Sequence, residues 1–80
     1  MKEVHVFLPT VDKVQAFVKA LVPLEGDFEL LADHVVLDAR SLMGIFSFDL
    51  SKPIRLKIYE DTQENLQAVQ PFTVCEENMK

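Results

Sequence analysis

Few residues in this chain have types and spacing that suit chemistry, and the clearest set begins at Arg40. From there the sequence reads RSLMGIFSF, with Ser41 between a basic residue and an apolar, helix-like run. A serine directly before a helix is a favoured N-cap, because its hydroxyl accepts from the first backbone N–H groups. The same position suits a phosphoserine, because the helix dipole favours negative charge there. Both interpretations of Ser41, helix cap and phosphorylation switch, are open from the sequence.

Other reactive side chains do not form a recognisable site. Asp33, His34 and Asp38 are close in the chain, but no second histidine or cysteine lies at metal-ligand spacing, so we expect no metal site. No nucleophile has a histidine partner in a known pattern, and the two glycines cannot form a phosphate-binding loop. We therefore expect that the protein is not an enzyme and needs no cofactor.

Composition narrows the class of protein. Eighty residues, of which 49% are hydrophobic and 26% charged, suit one globular domain. The net charge of −5 argues against nucleic acid and anionic membranes as partners. The charged N-terminus lacks a signal peptide's apolar region, and no apolar run approaches the roughly 18 residues of a membrane span. Cys75, the single cysteine, excludes an internal disulfide and fits a reducing compartment, so the expected location is cytoplasmic.

Hydrophobic periodicity predicts the elements that must position Ser41. Alternating residues predict strands, and apolar residues at three- and four-residue spacing predict helices. The predicted strands are residues 4–8, 28–31, 35–37 and 54–59, and the predicted helices are 11–22, 42–48 and a third that ends by Pro71. Thr10, Ser41 and Asp61 are the predicted N-caps, the last in a capping-box pattern with Glu64. The predicted domain is therefore residues 1–71, followed by a tail of residues 72–80.

The order β-α-β-β-α-β-α predicts an α+β fold. Each strand has one apolar face, which indicates an antiparallel sheet covered by helices on one side. The uncovered face would carry His5, Phe7, Leu31 and Tyr59. It would then be partly apolar and available to a partner or to a second copy of the chain.

The stretch RSLMGIFSF also resembles a motif of the histidine-containing phosphocarrier protein HPr of the sugar phosphotransferase system. It is similar to that family's pattern K-S-[IL]-M-G-[IV]-[MF]-S-[LF] at the start of its second helix. The element order fits too, and a gap-free match runs over residues 10–58. The resemblance implies an HPr-like open-faced β-sandwich, in which three helices cover one face of a four-stranded antiparallel sheet.

The resemblance implies that the phosphocarrier site has been lost. The family carries phosphate on a histidine in a G-x-H-A-R-P motif at the start of its first helix. Here Thr10 matches the histidine, Asp12 the arginine and Lys13 the proline. A phosphothreonine is a stable ester and cannot pass its phosphoryl group onward, and Asp12 would repel the phosphate that an arginine would bind.

The resemblance implies that a second, regulatory site is kept. Ser41 matches the family's regulatory serine, and Arg40, Leu42, Met43 and Phe46 match a patch that contacts partners. The implied function is a small cytoplasmic regulatory or protein-interaction module. Its expected partners are proteins, such as a serine kinase or a transcription regulator. The family's glycines near Asp49 and Pro53 are absent, which puts recognition by a dedicated serine kinase in question.

Two alternatives are open from the sequence. One is a degenerate phosphotransferase component that still takes phosphate at Thr10 or on a histidine. The other is a structural module that dimerises through the uncovered sheet face, and the expected state is accordingly a monomer or a weak homodimer.

Overall fold

The computed structural model describes residues 1–74. Its strands are β1 (Lys2–Val6), β2 (Phe28–Ala32), β3 (Val35–Asp38), β4 (Ile54–Ile58) and β5 (Thr73–Val74). Its helices are α1 (Val11–Leu21), α2 (Leu42–Ile45) and α3 (Gln63–Val69), and a 3-10 turn (Gln70–Phe72) follows α3 directly.

The fold is α+β, with an open antiparallel sheet and three helices, as the alternation of strands and helices predicts. The strand order is β3-β2-β4-β1-β5, and every neighbouring pair runs antiparallel. Over residues 1–74, the sheet has five strands rather than the expected four. The extra strand, β5, pairs with His5 and Val6 of β1.

One face of the sheet forms the core. Residues paired across antiparallel strands lie on the same face, and side chains alternate along each strand. The face with Val6, Phe28, Leu30, Ile54, Leu56 and Ile58 is fully buried. These side chains share one cluster with Val14, Phe17 and Leu21 of α1, Ile45 of α2 and Val69 of α3. The helices therefore cover this face only.

The longer helices begin at threonines. The Thr10 hydroxyl accepts from the backbone N–H of Lys13, as predicted for the N-cap of α1. The prediction that Asp61 caps α3 is wrong, because Thr62 occupies the N-cap and accepts from the N–H of Asn65. Both threonines have ψ of 159°, an extended conformation that directs the side chain back to the first turn.

The ends of the chain differ from the prediction. β1 begins two residues earlier than expected and ends at Val6, while Leu8 is buried beyond the strand's end. The fold continues past the predicted boundary at residue 71, because the Phe72 ring packs edge-on against Phe17 at 5.3 Å between centroids and β5 pairs with β1. Cys75 and the rest of the predicted tail, residues 75–80, lie outside the described residues.

A two-residue turn joins β2 and β3. Ala32 pairs with Val35, and the two residues between them, Asp33 and His34, have φ of 49° and 69°. Positive φ at both central residues defines a type I′ turn, whose twist matches the twist of the strands. Asp tolerates this conformation, but the second central position strongly favours glycine, so His34 carries conformational strain.

We predict that His34→Gly stabilises the fold by about 0.5–1 kcal/mol, because relief of the left-handed strain exceeds the entropic cost of glycine in the unfolded chain. Urea unfolding measures this as a higher midpoint with an unchanged m-value. Asp33→Gly is the matched control and should give a smaller gain. An unchanged or lower midpoint for His34→Gly would contradict the turn assignment.

Candidate functional site around the second helix

The segment around Ser41 forms a short helix rather than the predicted one over residues 42–48. Helix α2 spans Leu42–Ile45, and turns follow it. Ser41 stands at its N-cap position, but its hydroxyl makes no capping hydrogen bond. The predicted N-cap position is therefore confirmed, whereas the predicted side-chain hydrogen bond to the first turn is absent. The ψ of Ser41 is 92°, unlike the 159° of the two threonines that do cap, so its hydroxyl is not aligned with the N–H groups of the first turn.

Gly44 explains why α2 lies so close to the sheet. A Cβ added at Gly44 would lie 3.0 Å from Cδ1 of Leu37 on β3 and 2.9 Å from Oγ of Ser41. Both distances are shorter than side chains normally allow. A larger residue here would require the Ser41 hydroxyl and the Leu37 side chain to move, so the glycine favours this close packing on β3.

Arg40 points into the fold rather than toward a partner. Its guanidinium donates from Nε to the Leu21 carbonyl at 3.0 Å, and from Nη2 to the carbonyls of Leu24 at 2.7 Å and Gly26 at 3.1 Å. It also lies over the Phe28 ring, 5.0 Å from the centroid. The planar guanidinium satisfies carbonyls at the end of α1 and in the following loop. The predicted role of Arg40 in partner binding would have to break these bonds.

Asn65 also binds this loop, a role that the sequence patterns did not predict. It is 3% exposed, and its amide donates to the carbonyls of Glu25 at 3.0 Å and Glu60 at 2.8 Å. Three consecutive carbonyls, those of residues 24, 25 and 26, are thus bound in turn by Arg40, Asn65 and Arg40. The available sequence signal was a polar amide directly beside Leu66 in the predicted third helix, on the side that faces the core.

The predicted contact residues of α2 divide between core and surface. Ile45 is buried and Leu42 packs against the core, so Leu42 offers little to a partner. Met43 is 79% exposed and Phe46 is 37% exposed. These two apolar side chains lie one helical turn apart, on the exposed side of the helix. We call Met43 and Phe46, together with Ser41 at the start of the helix, the α2 surface.

The loop after the α2 surface is ordered by Asp49. One carboxylate oxygen of Asp49 accepts from the Ser51 hydroxyl at 2.6 Å and from the Ser51 N–H at 3.1 Å. These bonds lower the pKa of Asp49 below 3.8, with a smaller contribution from Lys52. This turn replaces the glycine that the HPr resemblance leads one to expect there.

The position that matches the carrier histidine has a structural use. The Thr10 hydroxyl is engaged as the N-cap of α1, and Asp12 is exposed in the first turn. The two histidines lie elsewhere, His5 on β1 and His34 in the β2–β3 turn. Neither is placed at the start of α1 as the carrier chemistry requires.

The uncovered sheet face is charged along β1 and β4, whereas Leu31 and Val36 form an apolar pair on the same face at the β3 edge. Lys57 is paired in register with Glu3 on one side and Glu29 on the other. Arg55 lies 3.8 Å from Glu3. The Tyr59 hydroxyl donates to the Glu29 carboxylate at 2.6 Å. Alternating charges of this kind favour solvation of the β1–β4 part of the face and leave little apolar area there for dimerisation.

The comparisons with known proteins add no relative. No family model, curated protein or solved structure matches the chain. Within residues 1–74, no helix is long and apolar enough to cross a membrane. The described part of the chain also contains no cluster of three or more side chains suited to a metal ion.

We predict that Arg40→Lys destabilises the fold by about 2–3 kcal/mol, because an ammonium group cannot reach carbonyls spread over residues 21–26 and leaves some of them unsatisfied. Arg55→Lys is the matched control. Its exposed ion pair with Glu3 contributes little, so the expected loss is below about 0.5 kcal/mol. Urea unfolding of both variants makes the comparison, and equal losses would contradict an internal role for Arg40.

A second prediction concerns Tyr59, whose pKa is raised above 10.0 by its hydrogen bond to Glu29 and then by desolvation and nearby carboxylates. The hydrogen bond stabilises the fold fully below the unfolded pKa, and that contribution is lost as pH rises through the folded pKa. Tyr59 is the only tyrosine and the chain has no tryptophan, so ultraviolet absorbance follows the phenolate directly. Glu29→Ala should lower the pKa of Tyr59, whereas Glu64→Gln on α3 should not. Identical titrations of Glu29→Ala and wild type would refute the contact.

Proposed function

We propose that this protein is an HPr-like regulatory or protein-interaction module that works through the α2 surface and does not carry phosphohistidine. The observation that carries the proposal is the exposure of Met43, at 79%, and Phe46, at 37%, directly after a serine whose hydroxyl is free of capping. A protein partner with an apolar pocket would bury both side chains at the centre of an interface.

Phosphorylation of Ser41 is the proposed control. It adds a charge of about −1.5 to −2 beside the exposed apolar side chains. Since the guanidinium of Arg40 is committed to backbone carbonyls, the phosphate would have no neighbouring arginine within the fold. The new charge would therefore be offered to a partner that carries an arginine cluster, or would repel an acidic one.

Membership of the HPr family is part of this proposal. It is supported by the RSLMGIFSF motif and by an antiparallel sheet covered by helices on one face. The short fifth strand and the lack of a matching structure leave the proposal to rest on the motif and the element order.

The proposal favours regulation over a degenerate phosphocarrier. A carrier would need a reactive nitrogen at the start of α1, and Thr10 is there instead with its hydroxyl in use as a cap. The positive end of α1 is still exposed beside Asp12, which disfavours a bound phosphoryl group. We therefore expect no acid-labile phosphate after incubation with phosphoenolpyruvate and the upstream enzyme of the phosphotransferase system.

The test is intact mass after incubation with ATP and a bacterial HPr serine kinase. We predict a gain of one phosphate in the wild type, none in Ser41→Ala, and an undiminished gain in Ser47→Ala. Ser47 is the matched control because it is a nearby serine whose hydroxyl donates to the Gly44 carbonyl at 2.6 Å. Phosphate on Ser47, or on both serines equally, would contradict the assignment of Ser41.

A further measurement tests partner binding by the α2 surface separately from phosphorylation of Ser41. If the kinase leaves the wild type unmodified, the phosphorylation switch fails, but the apolar contact is still tested by comparing Met43→Ser with Gln67→Ser for protein capture from a bacterial extract. Loss of captured partners in the Met43→Ser variant alone would support the α2 surface. Equal capture would overturn it.

A further inference from the structure

β3 is an edge strand, and its outward backbone groups can be identified from the ladder. The N–H of Ala39 donates to the carbonyl of Phe28, and the N–H of Tyr59 donates to the carbonyl of Asp27. In an antiparallel ladder, hydrogen-bonded pairs alternate with unbonded pairs. Residues 28, 30 and 32 of β2 therefore bond to β3, and residues 29 and 31 bond to β4. It follows that the backbone N–H and C=O of Val36 and Asp38 point away from the sheet.

Val36 is the centre of this open edge. Its backbone groups have no partner among the described residues, whereas the Asp38 carbonyl accepts from the N–H of Ser41 at 2.9 Å. The side chains are apolar on both faces of the strand, with Val35 43% and Val36 54% exposed. Natural edge strands usually carry a charge, a proline or a bulge that prevents pairing. β3 is short and ends in the charge of Asp38, but Val35, Val36 and Leu37 carry no charge, proline or bulge.

We propose that β3 pairs with β3 of a second copy of this chain, antiparallel and centred on Val36. The N–H and C=O of the two Val36 residues would then bond to each other across a two-fold axis. This register places Val35 against the second copy's Leu37, a pair that buries apolar surface. His34 lies in the turn before β3 and takes no part in the pairing.

Complementarity at this edge favours a second copy over an unrelated extended peptide. In the Val36-centred register, the two new backbone hydrogen bonds use only the N–H and C=O of Val36, which have no partner among the described residues. Valine then lies against valine, and Val35 against Leu37, so the strand matches a second copy of itself. The alternative register, with Val36 opposite Asp38, would need the Asp38 carbonyl that Ser41 already uses and would set a carboxylate against valine. The two sheets would become one of ten strands, with both helix layers on the same face.

The predicted association is weak. Four residues a side bury much less than the roughly 1,200 Å² of a stable interface, and each copy carries a net charge of −5. We expect a dissociation constant on the order of 0.1–1 mM. The proposal does not depend on the α2 surface or on Ser41, so each can fail without the other.

Sedimentation equilibrium over a concentration range tests the proposal with two matched variants. Val36→Pro removes the outward N–H without removing a bond to β2, and edge strands tolerate proline at such a position. Val36→Thr keeps the N–H and the β-branched shape. We expect Val36→Pro to raise the dissociation constant by at least about tenfold over Val36→Thr, with circular dichroism verifying that both are folded.

A thiol at each position tests the register independently of folding effects. In a Cys75→Ser background, Val36→Cys should form a disulfide-linked dimer with oxidised glutathione, which accepts the two electrons and two protons. Directly paired residues have Cα atoms about 5.5 Å apart, which suits a disulfide. Val35→Cys places the thiols diagonally and should cross-link much more slowly.

Three outcomes would overturn the proposal. One is a strictly monomeric protein up to about 1 mM. Another is a dimer unaffected by Val36→Pro, which would place the contact on another surface. The third is equal cross-linking of the Val36→Cys and Val35→Cys variants, which would show random collision. A dimer that is weakened by proline and trapped through a thiol at position 36 supports the proposal.

Discussion

The fold depends on the hydrogen bonds that side chains donate to the backbone carbonyls of the α1–β2 loop. Between the end of α1 and the start of β2, the chain turns through Pro23 and Gly26. The backbone carbonyls of this loop lie outside any helix or strand, so they need hydrogen-bond donors from elsewhere. The consecutive carbonyls of residues 24–26 are instead bound by two side chains that come from other elements. Arg40 follows β3 and Asn65 belongs to α3, so satisfying this loop fixes how the helices sit on the sheet. A buried carbonyl without a partner would cost about 1–3 kcal/mol, which is comparable to much of a small domain's stability.

The same loop explains a glycine. Gly26 has a φ of 92°, and a Cβ there would lie 2.9 Å from Cβ of Glu60. The loop can therefore approach the end of β4 only without a side chain. That close approach brings the Glu25 and Glu60 carbonyls within reach of one amide, Asn65. The positive φ of Gly26 and the buried hydrogen bonds of Asn65 therefore depend on each other.

Much of this architecture is visible in the sequence, because periodicity reports which face of each element is buried. The apolar alternation in residues 54–58 and the helical spacing in residues 11–21 both predict what is found. The departures have a common cause, which is that tertiary contacts decide ends and polar partners. Ser41 occupies the N-cap position without a side-chain bond to the first turn, and residues 73–74 become a strand only because β1 has an open edge beside them. Arg40 looks like a surface residue until the carbonyls of residues 21–26 are placed around it. The exposure of Met43 and Phe46 was foreseeable, since a short helix that is apolar all round cannot bury every side.

The strand order has a consequence for synthesis of the chain. β4 lies between β2 and β1, so the strand that joins the two parts of the sheet is the fourth to leave the ribosome. Until residues 54–58 have emerged, β2 and β3 are the only strands that can pair with each other. A lone hairpin of this kind is marginally stable in water. β1, made first, must wait with an apolar face that has no sheet partner. The nascent chain therefore gains its structure late and nearly all at once, and the interval before β4 appears is when a chaperone that binds short apolar segments would find it.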